Sequence, residues 1–146
     1  MTDANELGEV TITREFAAPR AAVFAAYVQP EQFVRFWGPA GTSVPLDTVT
    51  IEPWAGGRFD STMVVDATGD RYPMKGVFQE VKELELLTFA QEGSTLVGSI
   101  RLADLDGDRT EVVIHQTGVP PMYRSPEALA GLNSSLDRLG EHLAQR

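Results

Sequence analysis

From Val44 to Thr117 apolar residues recur at nearly every second position, and turn-forming clusters break the run before any piece exceeds about eleven residues. The breaks are Ala55-Gly56-Gly57, Asp66-Ala67-Thr68-Gly69-Asp70, Glu92-Gly93-Ser94 and Asp104-Leu105-Asp106-Gly107-Asp108. Each is short and rich in residues that tolerate tight turns, so successive strands are expected to pair antiparallel. The spacing predicts strands near 46–52, 57–65, 71–81, 85–91, 95–103 and 109–117. Gly8 to Phe16 adds one earlier strand, with Val10, Ile12 and Arg14 alternating against Thr11, Thr13 and Glu15. Seven strands make one large sheet, and a half-buried sheet needs something apolar to lie on.

The last segment supplies it. Ser125 can cap a helix and Pro126 can occupy its first position. Leu129, Leu132, Leu136, Leu139 and Leu143 then form one apolar face to about Ala144, with Asn133, Asp137, Arg138 and Glu141 opposite. At 1.5 Å per residue this amphipathic helix is roughly 30 Å long. Between the first strand and the rest, Pro19 opens a short helix carrying Val23, Phe24 and Tyr27. Pro30 opens another carrying Phe33, Phe36 and Trp37, which Gly38-Pro39 stops. The expected fold is therefore α+β: a curved seven-stranded antiparallel sheet wrapped around a long C-terminal helix, with two short helices after the first strand. With 146 residues, the chain reads as a flexible tail over 1–7 and a single domain over 8–146.

One helix covers only a strip of such a sheet, so the sheet must curl to bury the remainder, and the wrap can leave an internal gap. Alternation places Phe59, Ser61 and Met63 on one face, with Tyr72, Met74, Gly76 and Phe78 on the corresponding face of the next strand. Val112, Ile114 and Gln116 share a face likewise. Taking these as concave, the expected ligand-contacting residues are Trp37, Phe59, Met63, Tyr72, Met74, Phe78, Gln116, Tyr123, Leu132 and Leu136. Gly131 and Gly140 interrupt the long helix at about 1 kcal/mol each relative to Ala, which close packing against the sheet would offset.

Ala18-Pro19-Arg20, Val23-Phe24 and Tyr27, followed by Pro30-Glu31 and Phe36-Trp37-Gly38-Pro39, resemble the heat-shock-protein-90 ATPase activator homologues of the START-like (SRPBCC) superfamily. Ile51-Glu52-Pro53-Trp54-Ala55-Gly56-Gly57-Arg58-Phe59 is similar to that family's acidic, double-glycine turn, and Gly76-Val77-Phe78-Gln79-Glu80-Val81 to its next strand. The chain departs from the family at Trp54, where Arg is common, and at Gly131-Leu132, where a Gly-Trp pair is common. The resemblance implies the helix-grip fold with a cavity between sheet and C-terminal helix. It does not name a ligand, because the superfamily hosts binding, transport, cyclisation and cochaperone roles.

Chemistry beyond binding has little to stand on. The two histidines, His115 in a strand and His142 near the chain end, lack the partners of a hydrolytic triad. His115 alternates onto the outer face, and His142 is placed to complement the helix dipole. Asp104, Asp106 and Asp108 lack the distal Glu of a calcium loop, and Gly56-Gly57 lacks a phosphate-loop Lys, so both read as hairpin turns. Glu52 is expected to pair with Arg58. Should protons move, Glu52, Tyr72 and Tyr123 are the candidates near the pocket mouth.

The formal charge of −9 and the lack of a basic cluster argue against nucleic acid. With no cysteine, no thiolate metal site or disulfide is available. The first residues lack a basic start and an apolar run, and no later stretch approaches about 18 apolar residues, so a cytoplasmic protein off the membrane is expected. The leading functional expectation is binding of a small apolar or aromatic molecule, with no cofactor or metal. A cyclase- or hydratase-type enzyme using the same cavity is the alternative, and a cochaperone-like interaction module the third. Edge strands leave a homodimer open.

Overall fold

The computed structural model describes residues 7–145, so apart from Leu7 the expected tail lies outside the described residues. The element order is β1 (Gly8–Phe16), α1 (Arg20–Val28), α2 (Pro30–Phe33), β2 (Thr42–Ser43), β3 (Thr50–Ile51), β4 (Arg58–Val65), β5 (Arg71–Lys82), β6 (Leu86–Gln91), β7 (Val97–Leu105), β8 (Arg109–Val119) and α3 (Pro126–Ala144). The sheet follows a continuous seven-strand path, β1-β8-β7-β6-β5-β4-β2, and β3 pairs with β4 on the same side as β2. Every pairing is antiparallel. The four hairpins from β4 to β8 are local, whereas β1 returns to lie beside β8, with α1 and α2 carrying the chain from one edge of the sheet to the other.

The turns behave as their residues dictate. Gly69, Gly93 and Gly107 each adopt a left-handed φ, between +72° and +78°, in the successive reversals. The reversal between β5 and β6 instead uses Leu84 at φ +67°, a strained choice for a branched side chain. Gly57 is required for a different reason: a Cβ there would lie 2.0 Å from the Glu52 carbonyl oxygen, where β3 closes on β4.

Two expectations are corrected. The strand expected over 46–52 is a 3-10 turn at Leu46–Thr48 followed by the two residues of β3. The Thr48 hydroxyl donates to the Pro45 carbonyl at 2.7 Å and its amide donates to the same oxygen at 3.0 Å, a local closure that competes with pairing. The second helix ends at Phe33, although Trp37 N–H still donates to Phe33 O at 3.1 Å and keeps the i, i+4 relation.

Curvature has a visible source in β5, whose register against β6 shifts between Phe78 and Glu80. The extra residue, Gln79, bends the strand and increases its twist. The curled sheet and the helices share one buried cluster: Phe16 of β1, Val23, Phe24 and Tyr27 of α1, Phe59, Phe78 and Phe89 of the central strands, and Leu136, Leu139 and Leu143 of α3. Ser125 caps α3 as its position requires, accepting from Ala128 N–H at 3.1 Å. Gly140 faces the Phe16 ring at ordinary contact distance, while Gly131 faces Pro39 of the loop after α2 rather than the sheet.

Candidate ligand cavity

Between α3 and strands β6 to β8 the side chains do not quite meet, leaving a cavity of about 40 Å³. Its floor is Phe89 of β6, Gly98, Ser99 and Ile100 of β7, and Ile114 and Gln116 of β8. Leu132, Ser135 and Leu136 of α3 form the roof, with Tyr27 of α1 and the Phe36-Trp37 pair closing the sides. A glycine in the floor lets a ring settle at the edge of this gap. Phe89, Gly98 and Gln116 form a cross-strand row, and the Phe89 ring lies over the bare glycine: a Cβ at Gly98 would sit 2.7 Å from Phe89 Cζ.

Beside the cavity the core is packed with rings. Phe33 stacks on Trp37 at 4.7 Å and meets Phe59 edge-on at 5.5 Å. Phe59 in turn stacks on Phe78 and meets Phe89 edge-on, each at 4.9 Å. Such arrangements are favoured by the ring quadrupoles and make this wall stiff.

The opposite side is closed by polar latches from α3. Ser135 Oγ donates to Phe36 O at 2.8 Å, and Ser134 Oγ accepts from Ala40 N–H at 3.1 Å. Arg138 Nη1 donates to the carbonyls of Gly38, at 2.8 Å, and Pro39, at 3.1 Å. Gly38 and Gly41, at φ +94° and +91°, flank the latched segment. Sequence periodicity put Arg138 on the solvent face of the helix. The structure brings it half-buried onto the loop, because long cationic side chains can lie along apolar surface and deliver their heads to carbonyls.

The expected ligand-contacting residues separate into four groups. Trp37, Gln116, Leu132 and Leu136 line the cavity. Phe59 and Phe78 are buried in the ring cluster, and Met74 packs half-buried against it. Met63 lies beneath the loop, its Sδ 3.4 Å from where a Gly38 Cβ would be. Tyr72 and Tyr123 stand outside the lining, each 54% exposed. Tyr72 alternates with Met74, Gly76 and Phe78 but sits in the exposed start of β5, and Tyr123 belongs to the 3-10 turn Pro121–Arg124.

Two further pairings are corrected. Glu52 does not pair with the Arg58 side chain: its Oε1 accepts from the Arg58 backbone N–H at 2.8 Å, while the guanidinium goes to Asp60 and Glu92. Glu52 thus closes a hairpin. His142 meets Gln32 of α2, Nε2 to Oε1 2.9 Å, and burial, with Arg35 nearby, lowers its pKa, so near neutrality it brings no charge to the helix end. His115 lies on the outer face, 3.5 Å from Glu9, as alternation indicates.

Sequence reading passed over Tyr27, which it placed only in an apolar stripe. The side chain is 2% exposed and lines the cavity, and its hydroxyl has no hydrogen-bond partner among the described residues. Burial pushes its pKa up, so the phenol stays protonated and acts as a donor rather than a base. Among the described residues no three His, Cys, Asp or Glu gather to hold a metal ion, and no helix is long and apolar enough to cross a membrane.

Comparison with solved structures places the architecture. A protein from Chromobacterium violaceum, CV1439, superposes with a TM-score of 0.83 at 21% identity, covering 93% of this chain and 97% of the other. The AHSA1 protein SPO3351 from Silicibacter pomeroyi superposes at 0.80 with 24% identity, covering 94% and 99%. Ms6760 from Mycobacterium smegmatis superposes at 0.80 with 20% identity, covering 96% and 97%. At these identities the likeness establishes the fold alone. No curated protein matches the sequence. The family profile described as activator of Hsp90 ATPase homolog 1-like protein, however, matches residues 17–144, from the end of β1 to the end of α3. The chain belongs to the activator of Hsp90 ATPase homolog 1-like family.

Proposed function

We propose that this protein binds a small, mainly apolar molecule between the sheet and α3. The observation that carries the reading is the cavity beneath Leu132 and Leu136, apolar on most sides and bordered by the unpartnered Tyr27 hydroxyl. A hydroxyl that makes no hydrogen bond within the described residues is free to meet water or a polar group of a guest. The cavity's 40 Å³ is well below the roughly 150 Å³ that accommodates benzene, so one wall must yield on binding.

The walls differ in how readily they can yield. The sheet floor is held by continuous ladders and the ring cluster by close packing. The Trp37–Gly41 loop is held by a few polar contacts from Ser134 and Arg138, between two glycines. Entry under this loop, by movement of the Gly38–Gly41 segment past the Trp37 ring, is the route of least cost. The neutral Tyr27 phenol and the engagement of Glu52 in a turn weigh against proton-transfer chemistry at this site.

Native mass spectrometry of freshly purified protein, followed by denaturation and identification of any released molecule, tests the reading. A stoichiometric apolar compound is expected. Its binding should shift Trp37 fluorescence in a Trp54→Phe background. A compound bound with no response at Trp37 and no amide shift at Gly98 would place binding elsewhere and reject this cavity.

A further inference from the structure

The polar atoms around the cavity say what kind of molecule it prefers. Ser135 is engaged, its hydroxyl donating to the Phe36 carbonyl, and Ser99 reaches the His115 carbonyl at 3.5 Å. Two groups are uncommitted: the Tyr27 hydroxyl and the Gln116 side-chain amide have no hydrogen-bond partner among the described residues. They come from opposite layers, α1 and β8, and border the same space. None of the lining residues carries a charge.

We propose that the cavity selects a small neutral molecule whose ring lies among the aromatic walls and whose hydrogen-bond acceptor meets the Tyr27 hydroxyl, in preference to a hydrocarbon of the same shape or a carboxylate. This rests on the binding reading above and adds its chemical selectivity. Phe36, Trp37 and Phe89 present ring surfaces, which favour a flat apolar body. A buried phenol donor left unpaired against an apolar ligand keeps its desolvation cost, whereas an acceptor placed against it removes that cost. A carboxylate would surrender its hydration with no cation among the lining residues to replace it, a penalty larger than one hydrogen bond returns.

Gln116 has a secondary part. Its amide offers both a donor and an acceptor, so it tolerates either a second acceptor or a hydroxyl on the ligand and discriminates less than Tyr27. Tyr27, kept in its protonated form by burial, offers the sharper selection.

The test uses three probes of matched size, acetophenone, ethylbenzene and benzoate, titrated into the full chain and followed through the amide shifts of Gly98 and Gln116. Wild-type protein is expected to bind acetophenone about five-fold more tightly than ethylbenzene, the yield of one net hydrogen bond, and to show no saturable response to benzoate. In Tyr27→Phe the ketone preference should fall to within about two-fold, with ethylbenzene binding retained. The wild-type comparison needs no variant, so it stands even if Tyr27→Phe folds poorly. Equal binding of the two neutral probes, a preference that survives Tyr27→Phe, or tighter binding of benzoate would each overturn the selectivity while leaving the cavity as a binding site. No response to any probe would reject the binding reading and the selectivity with it.

Discussion

Along α3 one leucine stripe meets two different surroundings. Leu139 and Leu143 are 0% and 4% exposed and share a cluster with Phe16, Val23 and Phe24, and Leu136, 2% exposed, joins that cluster at the edge of the cavity. Leu129 and Leu132, on the same face, are only half-buried. At the first end α1 completes the cover. At the second, Leu132 meets a glycine, a glutamine and a loop held by hydrogen bonds, while Leu129 lies beside Val10 and Ile12 of β1. The periodicity of a helix therefore fixes which face is buried, but how densely it is met depends on what the other layers bring.

The contrast can be broken most sharply by truncation. Leu139→Ala should cost about 3 kcal/mol, because the removed atoms leave a void in a region with no slack. Urea denaturation gives the value, and a loss no greater than that of Leu132→Ala would erase the distinction between the ends. Arg138→Met keeps the apolar stem and removes the donors to Gly38 and Pro39, so a loss of about 1.5 kcal/mol is expected. The Ala40 amide should then exchange faster with solvent, with little change in the amides of β7. Leu132→Ala, at the loosely met end, should cost about 1 kcal/mol, since the site is already partly open. It should also tighten binding of larger apolar probes.

The smallest effect concerns pH at the closed end. The His142 pKa is lowered in the folded protein, whereas in the unfolded chain the imidazole takes up its proton near pH 6.5. As pH falls through that value the unfolded state binds protons that the folded state does not, so stability is full above it and declines below. His142→Asn should shrink the difference between urea midpoints measured at pH 7.5 and 5.5. An unchanged difference would show that Gln32 and the surrounding burial leave this imidazole unperturbed.

Much of this arrangement was legible in the residues. Alternation and the Gly-bearing turns located β4 to β8, and Ser125-Pro126 with the leucine stripe located α3. The weak elements were not legible: β2 is two residues long, and the 46–52 run yields to the hydrogen bonds that Thr48 makes with Pro45. Within the candidate site, Trp37, Gln116, Leu132 and Leu136 could be assigned from face and order alone. Tyr72 could not, because alternation says which side a residue faces and not whether a helix lies above it. Ser134, Ser135 and Arg138 meet the backbone of the segment from Phe36 to Ala40, a placement that depends on how the chain after α2 packs and that no local pattern records. A signal for Tyr27 did exist, as the lone hydroxyl in the Val23, Phe24 and Tyr27 stripe.

Gly98 sets the volume available beneath α3, and it does so with no side chain of its own. A Cβ there would lie 2.7 Å from Phe89 Cζ, so any substitution obliges that ring to shift. A single methyl group at this position would thus act first on a ring that borders the space beneath α3, and not on the strand order or the latches. Interior volume is then separable from the architecture that encloses it: it depends on how one ring rests on one bare position of a strand, while the outward shape depends on the ladders and the helix.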